Sequence, residues 1–247
     1  MSGDRVLVQP AWVLHRRPWS ESSLIVELFS RDFGRIGAVA RGGRNSRRWR
    51  GLLEPFSPVL ASWQGRGELR SLVAAEPDGA RPALAGAALA SGFYLNELLL
   101  RLLRRDDPHP ELHPLYGDTL NRLPDEAALR GFECRLLEAL GYGLLLLEDM
   151  GGEPVHGEAH YRYHLEHGPE RLAAVPEAGE GLLVRGRTLL ALAGREALAG
   201  PSLPEARRLM RAALSLYLGD RPLQSRALYR QLARTPRAAT PASPNDH

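Results

Sequence analysis

Five short apolar segments, separated by glycine and proline, fill the first 80 residues, and few folds can bury segments of that length. They are Ala11 to His15, Leu24 to Phe29, Ile36 to Ala40, Val59 to Trp63 and Leu69 to Ala74. Pro18, Gly34, Gly42, Gly43, Pro55, Pro58, Gly65 and Gly67 fall between them, where turns are needed. A single sheet this small leaves two edges open unless it curls and closes. The five-stranded oligonucleotide-binding (OB) barrel is one such closed solution.

The remaining chain changes period from two to about three and a half, which predicts helices. These cover Ala87 to Arg105, stopped by Asp106-Asp107-Pro108, then His113 to Arg122, then Pro124 to Leu140 ahead of Gly141 and Gly143. Between 148 and 180 the alternation Tyr161-Arg162-Tyr163-His164-Leu165 predicts a strand, turned by His167-Gly168-Pro169 toward Leu172 to Val175. Helices near 188–199, 203–218 and 223–234 follow. The expected fold class is α+β, a five-stranded OB-fold barrel (1–80) followed by a mainly helical domain (81–234). That domain carries a small β-hairpin insertion at about 148–180, and residues 235–247, rich in Pro, Ala and Thr, are expected to be disordered.

Composition excludes several chemistries. All 32 basic residues are arginine, so no phosphate-binding P-loop lysine and no lysine Schiff base is available. Cys134 is the single cysteine, which rules out an internal disulfide and a multi-cysteine metal site. No apolar run reaches the length of a membrane span, and the first residues lack the pattern of an export signal, so a cytoplasmic protein is expected. The net charge of +3 conceals a partition: +4 over residues 1–80, −2 over 81–147, −6 over 148–180 and +7 over 181–247. Concentrated positive regions under a weak total predict local contact with a polyanion.

The sharpest signal is the stretch from Arg41 to Arg50. Arg41, Arg44, Arg47, Arg48 and Arg50 share ten residues with two glycines, and no carboxylate occurs between Asp32 and Glu54. Guanidinium groups pair with phosphate oxygens, and Trp49 offers a flat ring for an unpaired base, so this loop is the expected single-strand contact. Arg226, Arg230 and Arg234 repeat every four residues and form a second candidate stripe, while Arg207, Arg208 and Arg211 lie on the helix before it. His156, His160, His164 and His167 are close in sequence, but the strand pattern around them argues against a metal site, and no cofactor is expected. Cys134 sits beside core positions of its helix and reads as a buried apolar residue. The pairs Asp106-Asp107 and Glu148-Asp149 give no reason to converge on two metals, so no enzyme chemistry is expected. Two other readings remain open at this level, an OB-fold RNA-binding module and a metal-dependent nuclease.

Several ordered segments resemble one family. They are the run from Val13 through Arg16, Arg17, Pro18 and Trp19 to Glu21 with Ser23-Leu24, Gly34-Arg35, Val39-Ala40-Arg41-Gly42, Pro55-Phe56 with Pro58, and Gly65 to Glu68. Tyr94-Leu95-Asn96-Glu97-Leu98, Phe132-Glu133, Leu140 to Gly143, Tyr217-Leu218-Gly219, Pro222-Leu223 and Ser225-Arg226 continue in the same order. The series resembles the bacterial recombination mediator RecO family over about residues 10–232. That resemblance implies binding of single-stranded and double-stranded DNA, annealing of complementary strands, and help in loading RecA onto strands coated by single-strand-binding protein. It implies RecR and the acidic C-terminal tail of single-strand-binding protein as partners, and a nucleoid-associated location. Arg130, with Leu98 and Leu102 as apolar walls, is the candidate site for that tail. Many relatives carry four zinc-binding cysteines in the region matching 148–180; this chain lacks them, so the acidic hairpin is expected to hold without metal.

Overall fold

The computed structural model describes residues 5–174, 181–225 and 227–228. The strands β1 (Arg5–Pro18), β2 (Leu24–Ser30), β3 (Gly34–Ala40), β4 (Pro58–Gln64) and β5 (Leu69–Pro77) close into a barrel in the order β1-β2-β3-β5-β4. The ring closes through β1 against β4 and through the parallel pairing of β3 with β5, which is the OB arrangement. Each expected strand is present and extends beyond its apolar centre. Alternate side chains point inward, so Val13, Val26, Leu28, Ile36, Ala38, Val59, Ala61 and Trp63 form the sealed barrel interior.

Helices α1 (Gly86–Leu102), α2 (Leu112–Arg122) and α3 (Glu126–Ala139) follow, then strands β6 (His160–His164), β7 (Gly168–Arg171) and β8 (Leu182–Arg185), and helices α4 (Gly186–Leu192) and α5 (Ser202–Leu218). The first helix ends sooner than its apolar pattern suggests, because Arg105 bridges to Arg35 and the Asp106 N–H donates to the Arg35 carbonyl. Gly141 and Gly194 end α3 and α4 in left-handed turns, with Tyr142 N–H donating to Leu137 and Arg195 N–H to Leu190. That second turn stops α4 well short of the expected residue 199.

The small sheet has order β7-β6-β8 and corrects the expected hairpin. Gly168 and Pro169 are paired strand residues, not the turn; β7 is an edge, where proline's missing donor is tolerated. The turn lies at Leu165 to His167, and β8 was not anticipated. Val175, most of the helix expected at 223–234 and the tail at 235–247 lie outside the described residues. Upstream, the Asp149 carboxylate accepts from the N–H groups of Gly151 (2.9 Å) and Glu153 (3.1 Å), and this turn joins the small sheet where Met150 N–H donates to Pro169. Among the described residues no group of three or more His, Cys, Asp or Glu is placed to hold a metal ion.

Barrel and helices share one apolar core. Leu14, Phe29 and Phe56 leave the barrel wall and join Leu95, Leu99, Tyr116 and Phe132. Through this seam runs a buried polar chain in which Tyr116 Oη donates to Asn96 Oδ1 and Asn96 Nδ2 donates to the Leu14 carbonyl at 2.7 Å. Arg35 also crosses, donating to the carbonyls of Leu100 and Leu103 while pairing with Glu27 at 3.0 Å.

Gly34 sits where the seam is tightest. Its φ is +66°, and a Cβ there would lie 2.0 Å from the Asp107 carbonyl oxygen. Gly51 has a similar φ of +77° with nothing within 4 Å. Gly51→Ala therefore carries only the left-handed conformational cost of about 1 kcal/mol, whereas Gly34→Ala adds overlap with backbone and should cost about 2 kcal/mol more. Urea unfolding of the two variants measures that difference directly.

Candidate nucleic-acid interface

The register of β2 against β3 pairs Leu24 with Ala40, so the β1–β2 turn and the start of the arginine loop leave the barrel at the same end. Gly42, at φ +70°, lets the chain reverse just beyond β3. The loop is then built rather than loose. Asn45 and Ser46 N–H groups donate to the Gly42 carbonyl, and Ser46 Oγ caps a single 3-10 turn, Arg47–Trp49, by accepting from Arg48 N–H at 3.2 Å.

Arg41, Arg44, Arg47, Arg48 and Arg50 are all exposed, and none forms an ion pair among the described residues. The nearest downstream carboxylate, Glu54, is taken by Arg16 at 2.7 Å. Arg48 donates to the Val73 carbonyl and lies over the Trp49 ring, 4.7 Å from its centroid.

Trp49 is not where the sequence reading put it. It is 4% exposed, packed into the barrel core, and its Nε1 donates to the Arg41 carbonyl at 3.0 Å. The ring plugs the barrel end and shapes the loop; its face is covered by protein and by Arg48, so no base can stack on it. The physical reason is local: a 3-10 turn places one side chain in three inward, and the apolar one goes to the core.

The aromatic that does face solvent beside these arginines is Trp19, in the β1–β2 turn and 56% exposed. Arg44 ties the two loops together, its N–H donating to the Ser22 carbonyl at 3.0 Å and its Nη1 to the Ser20 carbonyl at 3.3 Å. The sequence signal that could have found it was Arg16 and Arg17 closing β1 just before Trp19, in a turn that the β2–β3 register places next to residue 41.

A second feature lies on the helical side. A cavity of about 710 Å³ opens between α1, α3 and α5, walled by Leu129, Leu214, Leu218 and Leu223, with Arg130, Arg207, Arg211 and Arg221 around it. Arg130 lines this cavity, but the apolar walls expected beside it do not. Leu98 is fully buried in the core and Leu102 packs against that core, and neither lines the cavity. The α1 residues that do are Ala87, Ala90, Ser91 and Tyr94.

Arg130 is 8% exposed, and its Nη1 lies 2.8 Å from Glu133 Oε2 in a close but poorly aligned ion pair, leaving Nε without a hydrogen-bond partner. Glu133 is fully buried and accepts a 2.6 Å hydrogen bond from Tyr94 Oη. Burial pushes its carboxyl up to about 7, against the opposing pull of Arg130 and Tyr94. Arg207 is engaged with Glu126. Arg226 and Arg230 lie outside the described residues.

Known proteins resolve the affiliation. The family model described as Recombination protein O N terminal matches residues 4–80, and the one described as Recombination protein O C terminal matches residues 84–227. The chain belongs to the RecO family. Among RecO relatives, the DNA repair protein RecO of Halorhodospira halophila is 52% identical over 231 residues, covering 91% of this chain and 97% of its own length. DNA repair protein RecO of Nitrosococcus oceani is 49% identical, covering 93% and 95%, and that of Azoarcus sp. is 47% identical, covering 93% and 97%. The RecO name carries the chain into DNA repair and recombination. No helix among the described residues is long and apolar enough to cross a membrane.

Proposed function

We propose that this RecO-family chain binds single-stranded DNA on the arginine face of its barrel and anneals complementary strands there without breaking or making covalent bonds. The carrying observation is the cluster of five exposed arginines on a hydrogen-bonded loop with no paired carboxylate among the described residues. Two strands approaching each other repel through their phosphates, and a cationic face that holds both lowers that repulsion. Double-stranded DNA can use the same phosphate contacts. The barrel, residues 1–80, is read as the strand-holding part and residues 81–234 as the partner-facing part. Arg226 and Arg230 are retained as a second phosphate contact.

In this reading the cavity beside Arg130 takes the acidic C-terminal tail of single-strand-binding protein. A chain-terminal carboxylate needs a cation next to apolar walls, and the under-bonded Arg130 guanidinium above Leu129 and Leu214 supplies both. RecR binding and RecA loading then act on the strand so delivered. If roughly four phosphates are engaged, log affinity for an oligothymidylate should fall with log salt at a slope of about −3. Annealing rates with intact and tail-deleted single-strand-binding protein test the partner half. Salt-independent binding, or annealing of coated strands indifferent to the tail, refutes the corresponding half.

A further inference from the structure

The chain has four tryptophans, and their environments differ. Trp49 and Trp63 are buried, and Trp12 packs edge-on against Tyr116 at the seam. Trp19 alone stands largely in solvent. It does so on a fixed support, since Trp19 N–H donates to the Ser23 carbonyl at 3.1 Å and Ser23 N–H to Ser20 Oγ at 3.2 Å. Arg44 then locks that turn to the arginine loop, as described above. The Arg17 guanidinium lies 5.8 Å from the Trp19 ring centroid and leaves most of the ring uncovered. The turn's one carboxylate is Glu21, against six exposed arginines counting Arg17 and the five of the loop.

We propose that Trp19 is the base-stacking platform of this face, taking the π surface of one unpaired nucleobase while the flanking arginines hold the phosphates on either side. The assignment rests on the single-strand reading and adds a feature that reading lacks, a means of telling bases from bare phosphate chain. Any base has a π face, so the contact tolerates sequence. Bases inside a duplex are already stacked and cannot reach the ring, so Trp19 favours single strands, whereas the arginines serve both forms. An apolar protein segment would be a poorer occupant, because it would strand the surrounding guanidiniums away from counter-charge.

The test compares an oligothymidylate with an abasic oligomer of equal length, titrated at several salt concentrations. Wild type should prefer the oligothymidylate by roughly 5- to 150-fold, the range of one base–aromatic stack. Trp19→Ala should bring that ratio close to one while keeping the abasic affinity and the salt slope; Trp19→Phe should retain part of it. Replacing Arg47, Arg48 and Arg50 with alanine, which keeps the Arg44 tie to the Trp19 turn, should do the converse, flattening the salt slope and sparing the ratio. A Trp19→Ala protein that keeps the wild-type ratio overturns the stacking assignment and leaves the arginine face standing. A wild type that binds neither oligomer overturns both.

Discussion

Alanine at Arg44, Arg47, Arg48 and Arg50 together should lower affinity for an oligothymidylate by about 200-fold at 0.15 M salt and by several thousandfold at 0.05 M. Each phosphate neutralised on a single strand releases about 0.7 of a counterion, so four contacts contribute about 2.8 powers of the salt concentration. The deficit should vanish on extrapolation to 1 M salt, because the lost term is counterion release. A loss of the same size at every salt concentration would instead indicate damaged structure. Damage is not expected: all four side chains are exposed, and among the described residues only Arg44 and Arg48 of the four make hydrogen bonds through their guanidiniums, each to a carbonyl. Fluorescence anisotropy across a salt series, with thermal melts as control, decides between the two. Unchanged affinity at moderate salt removes the loop from the DNA-binding surface altogether.

The second large effect is on stability. A buried acid whose pKa is raised in the folded state favours folding most when protonated. For Glu133 the contribution is therefore greatest below its unfolded value of 4.5, declines as pH rises toward about 7, and is flat above that. Between pH 5 and pH 8 this one group should remove about 2 to 3 kcal/mol of stability. Other groups titrate over the same range. His113, packed against the tilted rings of Trp12 and Phe29, is held down to about 4, chiefly by burial and then by Arg31, so its loss of stability runs the other way, as pH falls from 6.5. The clean measurement is thus a difference. Glu133→Gln keeps an acceptor for Tyr94 and cannot ionise, so its stability relative to wild type should rise by about 2 to 3 kcal/mol from pH 5 to pH 8. Parallel pH profiles in urea unfolding would show that Glu133 does not titrate in that window.

The OB barrel was legible because the period-two apolar pattern and the glycines and prolines between segments leave few compact closures, the OB barrel among them. Long helices were legible for the same kind of reason. The departures came where distant residues compete for the same backbone. Asp106 pairs with Arg35 and cuts α1 short, and β8 joins an edge of β6 that Tyr161 and Tyr163 alone do not announce. The site followed the same rule. An arginine loop can be read from composition, but whether Trp49 or Trp19 faces solvent depends on a 3-10 turn and on the β2–β3 register. Arg130 was a candidate through the family resemblance, and it lines the cavity, whose apolar walls come mainly from α5 and the segment after it; neither Leu98 nor Leu102 supplies one.

The core that runs unbroken from Leu14 and Phe29 into α1, α2 and α3 has a consequence for how two ligands add. With no slack at that joint, the barrel face and the cavity beside Arg130 stand at a set span. On the proposed function, a partner carrying both a strand and its own acidic tail would meet two anchors on one frame, and docking the tail would raise the local concentration of the strand. Affinity is then governed by whether the partner's tether can bridge that span, and lengthening or shortening the tether should matter as much as altering either contact.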